Sequence, residues 1–373
     1  MTWNLDESQR LLRDSARTFM AERAPVAHLR ALRDGSDAQG HSPALWQAFA
    51  EQGYSAVLVP EAHGGLGLGL VEAGVIAEQI GRNLTPTPWL PTAVLAAWLL
   101  QRAGSAAQQS AWLPRIAAAG TVLALAIDEA ARHRPQTIAT TATQTGDGWR
   151  LQGSKLFVVD GHVAEAFIVA ARTEGGTALL LVPADAAGVR VERTAMVDSH
   201  NAARVQFDGV TLAADALIGS VADGAALLEA TLDVGRAVVA AELLGLADEV
   251  FARTVQYLKE RKQFDRLIGE FQALQHRAAE LHCDLELTRA IVGAALDAAA
   301  VDPAAARLIV SQAKARAALT ANRAVQEGVQ MHGGIGMTDA VDFGLFMKRA
   351  RVLQEWLGDS AYHIDRAATI AGY

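Results

Sequence analysis

Residues Val325–Gly336 read V-Q-E-G-V-Q-M-H-G-G-I-G, and a helical pattern runs into the paired Gly333 and Gly334. A phosphate loop of the Rossmann or P-loop kind follows a strand and opens a helix. Here the glycines close one. A single Gly at such a place is a C-cap whose positive φ lets orphan carbonyls be satisfied. Two adjacent glycines, a third at Gly336 and the amide of Gln330 one turn upstream would also let a ligand lie against main chain. On the residues alone both readings stand. Other chemistries lack their patterns: His276 and His282 do not form H-E-x-x-H, so no metal site is expected, and no nucleophile elbow or Walker loop occurs.

Three segments carry a resemblance. Q-M-H-G-G-I-G-M-T-D, followed by F-M-K-R-A-R, resembles the C-terminal signature of the acyl-CoA dehydrogenase family. Tyr257–Arg277, Y-L-K-E-R-K-Q-F-D-R-L-I-G-E-F-Q-A-L-Q-H-R, and Pro60–Leu68, P-E-A-H-G-G-L-G-L, agree with it in the family's order. The resemblance covers essentially the whole chain. It implies FAD bound between a β-barrel and a C-terminal bundle, with two subunits sharing each flavin. It also implies loss of a proton α to an acyl-CoA thioester and of a hydride from the β carbon to the flavin, whose chemistry the protein only has to orient. By the same resemblance Arg261, Gln263, Phe264 and Gln272 contact the FAD of the neighbouring subunit, and Gln330, Gly333 and Gly334 complete that half site. A guanidinium suits diphosphate oxygens and an exposed aromatic suits adenosine.

The half site formed within one subunit departs from the family pattern. Where T-E-P-x-x-G-S-D is usual, Ile127–Pro135 reads I-D-E-A-A-R-H-R-P: Glu129 matches, the Thr is Asp128 and the Gly-Ser pair is missing. The family's W-I-T becomes Phe157-Val158-Val159, which keeps an aromatic wall and loses the hydroxyl that donates to flavin N5. The catalytic carboxylate is also missing. Its two recognised family positions fall on Gly358 and Gly235. Asp233, Arg236 and the Gly358 N–H remain as the expected acyl-CoA contacts, the last as donor to the thioester oxygen. A relocated base would have Asp359 as its candidate; Glu355 reads as a helix-surface charge.

The pattern most resembles the small subunits of heteromeric bacterial acyl-CoA dehydrogenases, such as that of pimeloyl-CoA dehydrogenase. The implied assembly is a heterotetramer with a larger, base-bearing acyl-CoA dehydrogenase subunit, reoxidised by an electron-transfer flavoprotein. Two rival readings remain: a self-sufficient homotetramer with a relocated base, and a non-redox acyl-CoA-binding scaffold.

The elements that must position these residues follow from periodicity. The fold class is α+β: an N-terminal helical domain (1–120), a middle antiparallel β-barrel (121–224) and a C-terminal four-helix bundle (225–373). Asp6 and Gln9 form an expected capping box, and Ser42-Pro43 restarts a helix. Seven short β-branched runs between Val122 and Phe207 are separated by turn pairs, among them Asp160-Gly161 and Asp208-Gly209. Asp302-Pro303 is expected to cap a helix Ala304–His332, and Phe343–Ala368 to form the last.

The 373 residues allow two or three cores, and the net charge of −8 with scattered basic residues gives no reason to expect nucleic acid or an anionic membrane as partner. The single cysteine, Cys283, excludes an intrachain disulfide, suits a reducing compartment and is expected to be a small buried residue. With no signal-peptide pattern, a cytoplasmic location is expected.

Overall fold

A computed structural model describes residues 3–35 and 39–373. The chain divides into two compact units, one of Met1–Arg30, Leu70–Thr85 and Arg236–Tyr373, the other of Ala31–Gly69 and Pro86–Gly235.

The second unit holds the sheet. Its strands are β1 (Leu123–Ala126), β2 (Thr141–Thr145), β3 (Gly148–Val159), β4 (Ala166–Thr173), β5 (Gly176–Pro183), β6 (Val189–Ala195), β7 (Asn201–Ala213) and β8 (Leu217–Ile218), ordered β6-β7-β3-β2-β4-β5-β8 with β1 on β4. The expected antiparallel barrel needs correcting, because β1 and β2 both run parallel to β4. Asp208-Gly209 is not a turn: it lies inside β7, where Gly209 takes φ 64° and Asp208 N donates to the Gly188 carbonyl. The ladder between β3 and β7 shifts register between Leu151 and Gly153 and again between Lys155 and Val158. Such bulges re-aim single side chains. Phe157 sits in the second one with φ 51° and is 48% exposed. Beneath the sheet Phe167 and Phe207 meet edge to face at 6.4 Å among Val169, Leu180, Val205 and Leu151.

The first unit is helical. It contains α1 (Glu7–Arg23) and α4 (Leu70–Asn83); α2 (Val26–Asp34) straddles the division at Arg30, and α3 (Pro43–Glu51), α5 (Ala97–Ala103, continuing a π-helical turn Leu90–Ala96) and α6 (Ala106–Ala117) belong to the second unit. The Asp6–Gln9 capping box and the Ser42 cap on Leu45 N are both present. Five helices follow the sheet: α7 (Gly224–Glu260), α8 (Gln272–Val301), α9 (Arg307–His332), α10 (Phe343–Glu355) and α11 (Ser360–Ile370). Helices α4 and α7 cross so closely that a Cβ on Gly81 would strike the Glu242 carbonyl and one on Gly245 the Glu78 carbonyl.

Two helix boundaries differ from the sequence reading. Asp302 does not cap α9; its carboxylate accepts from Ala304 N at 2.9 Å within a turn, and the helix starts at Arg307. The single last helix is two, because Leu357 and Gly358 both have positive φ (60° and 109°) and Asp359 caps a new start. Cys283 is exposed rather than buried: it lies on the outer face of α8, one residue before Asp284, whose carboxylate pairs with Arg316 and Arg323. No described helix is long and apolar enough to cross a membrane.

Candidate functional site

Three groups of residues from the sequence reading can be followed in the structure. The first lies where α7 ends, α8 begins and α9 stops. Tyr257, Leu258, Ile268, Phe271, Leu274 and Met331 share one apolar cluster, which holds the segment between α7 and α8 beside the end of α9. That segment is a hairpin of β9 (Lys262–Gln263) and β10 (Arg266–Leu267). Its two turn residues, Phe264 and Asp265, have φ 54° and 61°, the backbone of a type I′ turn made without glycine. Phe264 is 87% exposed at its tip, edge-on to Phe271. Arg261, Gln263, Gln272 and Gln330 are likewise exposed.

His332, which sequence reasoning passed over, fixes the end of α9. It is stacked 4.1 Å from Tyr257 and lies 4.2 Å from Phe343. Its Nδ1–H donates to the Gly328 carbonyl at 2.8 Å, and burial pushes its pKa below the usual value, so the ring stays neutral. Gly328 leaves room for Phe343, since a Cβ there would lie less than 3.0 Å from that ring. Gly333 then takes φ 65° and ψ −142°, a conformation closed to L side chains. Nothing lies within 4 Å of where a Cβ on Gly333 or Gly334 would point. The glycines therefore cap the helix and also leave main chain bare to solvent, so the two sequence readings are compatible.

The second group surrounds Gly358. Glu355–Gly358 is a type II turn: Trp356 has φ −64° and ψ 131°, Leu357 has φ 60°, and Gly358 N donates to the Glu355 carbonyl at 3.2 Å. The N–H expected to meet a thioester oxygen thus has an acceptor within its own turn. Lys314 of α9, fully buried, donates to the carbonyls of Leu353, Gln354 and Gly358 at 3.0, 3.1 and 3.0 Å. Arg236 Nε and His363 Nε2 both donate to the Leu357 carbonyl, at 3.2 and 3.1 Å. Burial, with Arg236 beside it, pushes the Lys314 ammonium down to about 7, and burial together with Lys314 and Arg236 holds His363 neutral far below the usual imidazole range. Asp359 Oδ1 accepts from Tyr362 N at 2.7 Å, the N-cap bond of α11. Glu355 pairs with Arg351 one turn back on the same helix. Asp233 and Gly235 lie inside α7, the former fully buried.

The third group is in the sheet unit. Glu129 accepts from Ala139 N (2.6 Å), Thr140 N (3.0 Å) and Lys155 Nζ (2.7 Å). Burial opposes its charge, but the bonds from Lys155 and Thr140 outweigh it and hold the carboxyl below its ordinary value. Lys155 is buried, with a lowered pKa, and also donates to the Ile127 carbonyl. Asp128 bonds His133 Nδ1 at 2.8 Å, and its carbonyl accepts from Leu156 N. Glu129 therefore ties both ends of the β1–β2 connection to β3, while Phe157, two residues past Lys155, is the aromatic left in the open. Among the described residues no group of three His, Cys, Asp or Glu could hold a metal ion.

Sequence reasoning missed Lys314, Tyr362 and His363. Each sits at an ordinary helical position, and only the break between α10 and α11 brings them to one turn. The Pro- and Gly-free spelling R-V-L-Q-E-W-L before Gly358 gave no sign of that break.

Comparison with known proteins follows the same plan. Residues 6–120, 126–210 and 222–371 match the N-terminal, middle and C-terminal domains of acyl-CoA dehydrogenase. Acyl-CoA dehydrogenase IpdE2 of Mycobacterium tuberculosis (strain ATCC 25618 / H37Rv) is 32% identical over 348 residues, 92% of this chain and 91% of that protein. A variant of the Tcur3481-Tcur3483 steroid ACAD superposes with a TM-score of 0.90 at 32% identity, covering 98% of each chain. The ChsE4-ChsE5 complex from Mycobacterium tuberculosis superposes at 0.91 with 29% identity over 100% of each chain. The chain belongs to the acyl-CoA dehydrogenase family of FAD-dependent oxidoreductases.

Proposed function

We propose that this chain is the small subunit of a heteromeric acyl-CoA dehydrogenase, lending its nucleotide-side residues to a flavin whose ring and base belong to a larger partner. The carrying observation is at the turn after α10: neither Leu357 nor Gly358, on which the expected base position falls, offers a carboxylate, the Gly358 N–H and carbonyl are both bonded within the protein, and Asp359 is engaged as a helix cap. Gly235, the alternative position, also has no carboxylate. Two structural neighbours support the reading, one described as the Tcur3481-Tcur3483 steroid ACAD and the other as the ChsE4-ChsE5 complex.

The residues fit FAD unevenly. The bare main chain of Gly333 and Gly334, with exposed Arg261, Gln263, Phe264, Gln272 and Gln330, suits a diphosphate and an adenosine. The other half offers Phe157 but Val159 where a hydroxyl would serve the ring, and Glu129 is committed to Lys155. When bound, FAD supplies the hydride acceptor. This chain's own part would be to hold the nucleotide tail; Asp233 and Arg236, expected at the CoA side of the substrate, are both fully buried, and Arg236 is bonded to the Leu357 carbonyl and to Tyr362.

The test is expression alone and together with a base-bearing acyl-CoA dehydrogenase encoded beside it. The lone chain is expected to be colourless and inactive with acyl-CoA and an electron acceptor. The pair is expected to carry flavin and to turn over acyl-CoA, with ring-bearing acyl groups tried first. A lone chain that is yellow and active, and that loses activity in Asp359→Ala, would instead establish a self-sufficient enzyme. A pair that never binds flavin would leave a non-redox scaffold.

A further inference from the structure

The stretch 333–342, between α9 and α10, leaves and re-enters the helices at one point. His332, the last residue of α9, has its ring 4.2 Å from that of Phe343, the first of α10. A compact surface loop with its ends closed in this way is an Ω-loop. Its near end is pinned by the Tyr257 ring and the Gly328 carbonyl, both on His332. Inside it, Thr338 N and Oγ1 donate to the Ile335 carbonyl at 3.0 and 2.8 Å. Apolar burial cannot set its shape, because of Gly333–Met337 only Gly336 is buried and Met337 is 78% exposed.

What holds its far end is charge. Asp342 accepts on Oδ1 from Arg30 Nε of α2 at 2.8 Å and on Oδ2 from Arg253 Nη1 of α7 at 2.6 Å. Arg30 also donates to Asp339 Oδ2 at 2.9 Å and to the Val341 carbonyl at 3.4 Å. Arg253 is itself fixed, by Glu249 one turn back and by Phe346, whose ring centroid lies 5.1 Å from the guanidinium carbon. The Asp342 side chain is 23% exposed, sheltered enough for charge-assisted bonds to matter where a fully exposed pair would count for little. Asp342 stands at the N-cap position of α10, yet its side chain makes no cap bond. Its carboxylate joins two other helices to the loop instead. We propose that Asp342 is a positioning residue of the nucleotide-side half site: bridging Arg30 and Arg253, it sets the path of residues 333–341 and so the aim of the Gly333 and Gly334 main chain. The functional part rests on the reading of those glycines above; the clamp itself does not.

The test is amide hydrogen exchange on the full chain with Asp342→Asn, which keeps the shape and loses the charge, and Asp342→Glu, which keeps the charge. The probes are the Thr338 and Ala340 amides, both bonded inside the loop. Asp342→Asn is expected to speed their exchange at least about tenfold while α7 and the middle of α9 change less than about twofold, and Asp342→Glu to keep most of the native protection. Exchange that rises evenly across α7 and α9 in step with a fall in Tm would mean a merely structural ion pair and overturn the proposal. So would loop exchange that Asn leaves unchanged, or that Asn and Glu raise alike. Should Asp342→Asn not fold, Arg30→Met, which removes one of the two anchors, replaces it with the same expectation. In the pair assembled with the larger subunit, flavin release is expected to quicken at least about fivefold in Asp342→Asn and to stay within about twofold of native in Asp342→Glu. A loop that opens while flavin retention holds would sink the nucleotide-side reading and leave the clamp; a loop that stays shut sinks the clamp and leaves that reading standing.

Discussion

Lys314 shows what a single buried charge does to this fold. Three carbonyls from the end of α10 and the following turn match the three N–H bonds of an ammonium, yet burial and Arg236 disfavour its charge and push it to about 7. An exposed lysine titrates near 10.4. Between those two values the unfolded chain holds more protons than the native one, so stability rises with pH through that window. From pH 7 to 9 the native protein is expected to gain roughly 2 kcal/mol relative to Lys314→Met, which has nothing to titrate there. Paired denaturant titrations at the two pH values measure it. A gap that does not widen would mean that Lys314 stays charged throughout. Glu129 makes the complementary case. Replacing it by Gln leaves Lys155 buried against a neutral amide and frees one backbone N–H bond, so a loss of about 3 kcal/mol is expected. Such residues are hard to see in a sequence. Glu129 stood out only by its match to a family motif, and neither its partner nor that partner's depth was visible. Lys314 stood out not at all.

At the scale of elements, most of what could be read followed from local rules. The Asp6 cap needed only its own next turn, and the strands needed only alternation and turn pairs. What failed depended on contacts far away in sequence. Asp208-Gly209 looks like a turn, but β7 runs through it because β3 pairs on both sides of it, Gly153 with Phe207 and Leu151 with Val210. Phe343–Ala368 keeps a helical period, but the break at Leu357 is enforced by Arg236, His363 and Lys314. The end of α9 is the opposite case, because its glycines declare themselves. Gly333→Ala is expected to lower stability by about 1–2 kcal/mol from backbone strain alone, with no steric clash to add. It should weaken flavin retention in the assembled enzyme by far more than that stability loss explains. Flavin release measured below the melting range separates the two. Gly81→Ala should behave differently: its new methyl meets the Glu242 carbonyl, so the loss is in stability and flavin release changes little.

For the whole molecule, the family's three domains occur in order. The domain plan was legible because it is written in helical and strand periods over hundreds of residues. The proposed division of labour rests on single positions, Gly358, Gly235 and Val159, where the resemblance leads one to expect a carboxylate or a hydroxyl. If the nucleotide-side residues serve a neighbour's flavin, damage to them must appear in trans. Arg261→Ala combined with Gln330→Ala removes two exposed side chains, and surface changes of this kind usually move stability by little. The variant chain is therefore expected to fold and to assemble with a native partner. The flavin of that assembly should dissociate at least about tenfold faster, about 1.4 kcal/mol of lost binding, because a charge-assisted diphosphate contact would be gone. The same two changes made at the equivalent positions of the partner should leave flavin retention untouched, because that half of the partner would face this chain's own ring-side half site. Dilution of reconstituted pairs followed by flavin fluorescence measures both arms. Equal loss from either chain would mean that each subunit serves the other's flavin alike, and the unequal division argued from Gly358 would not hold.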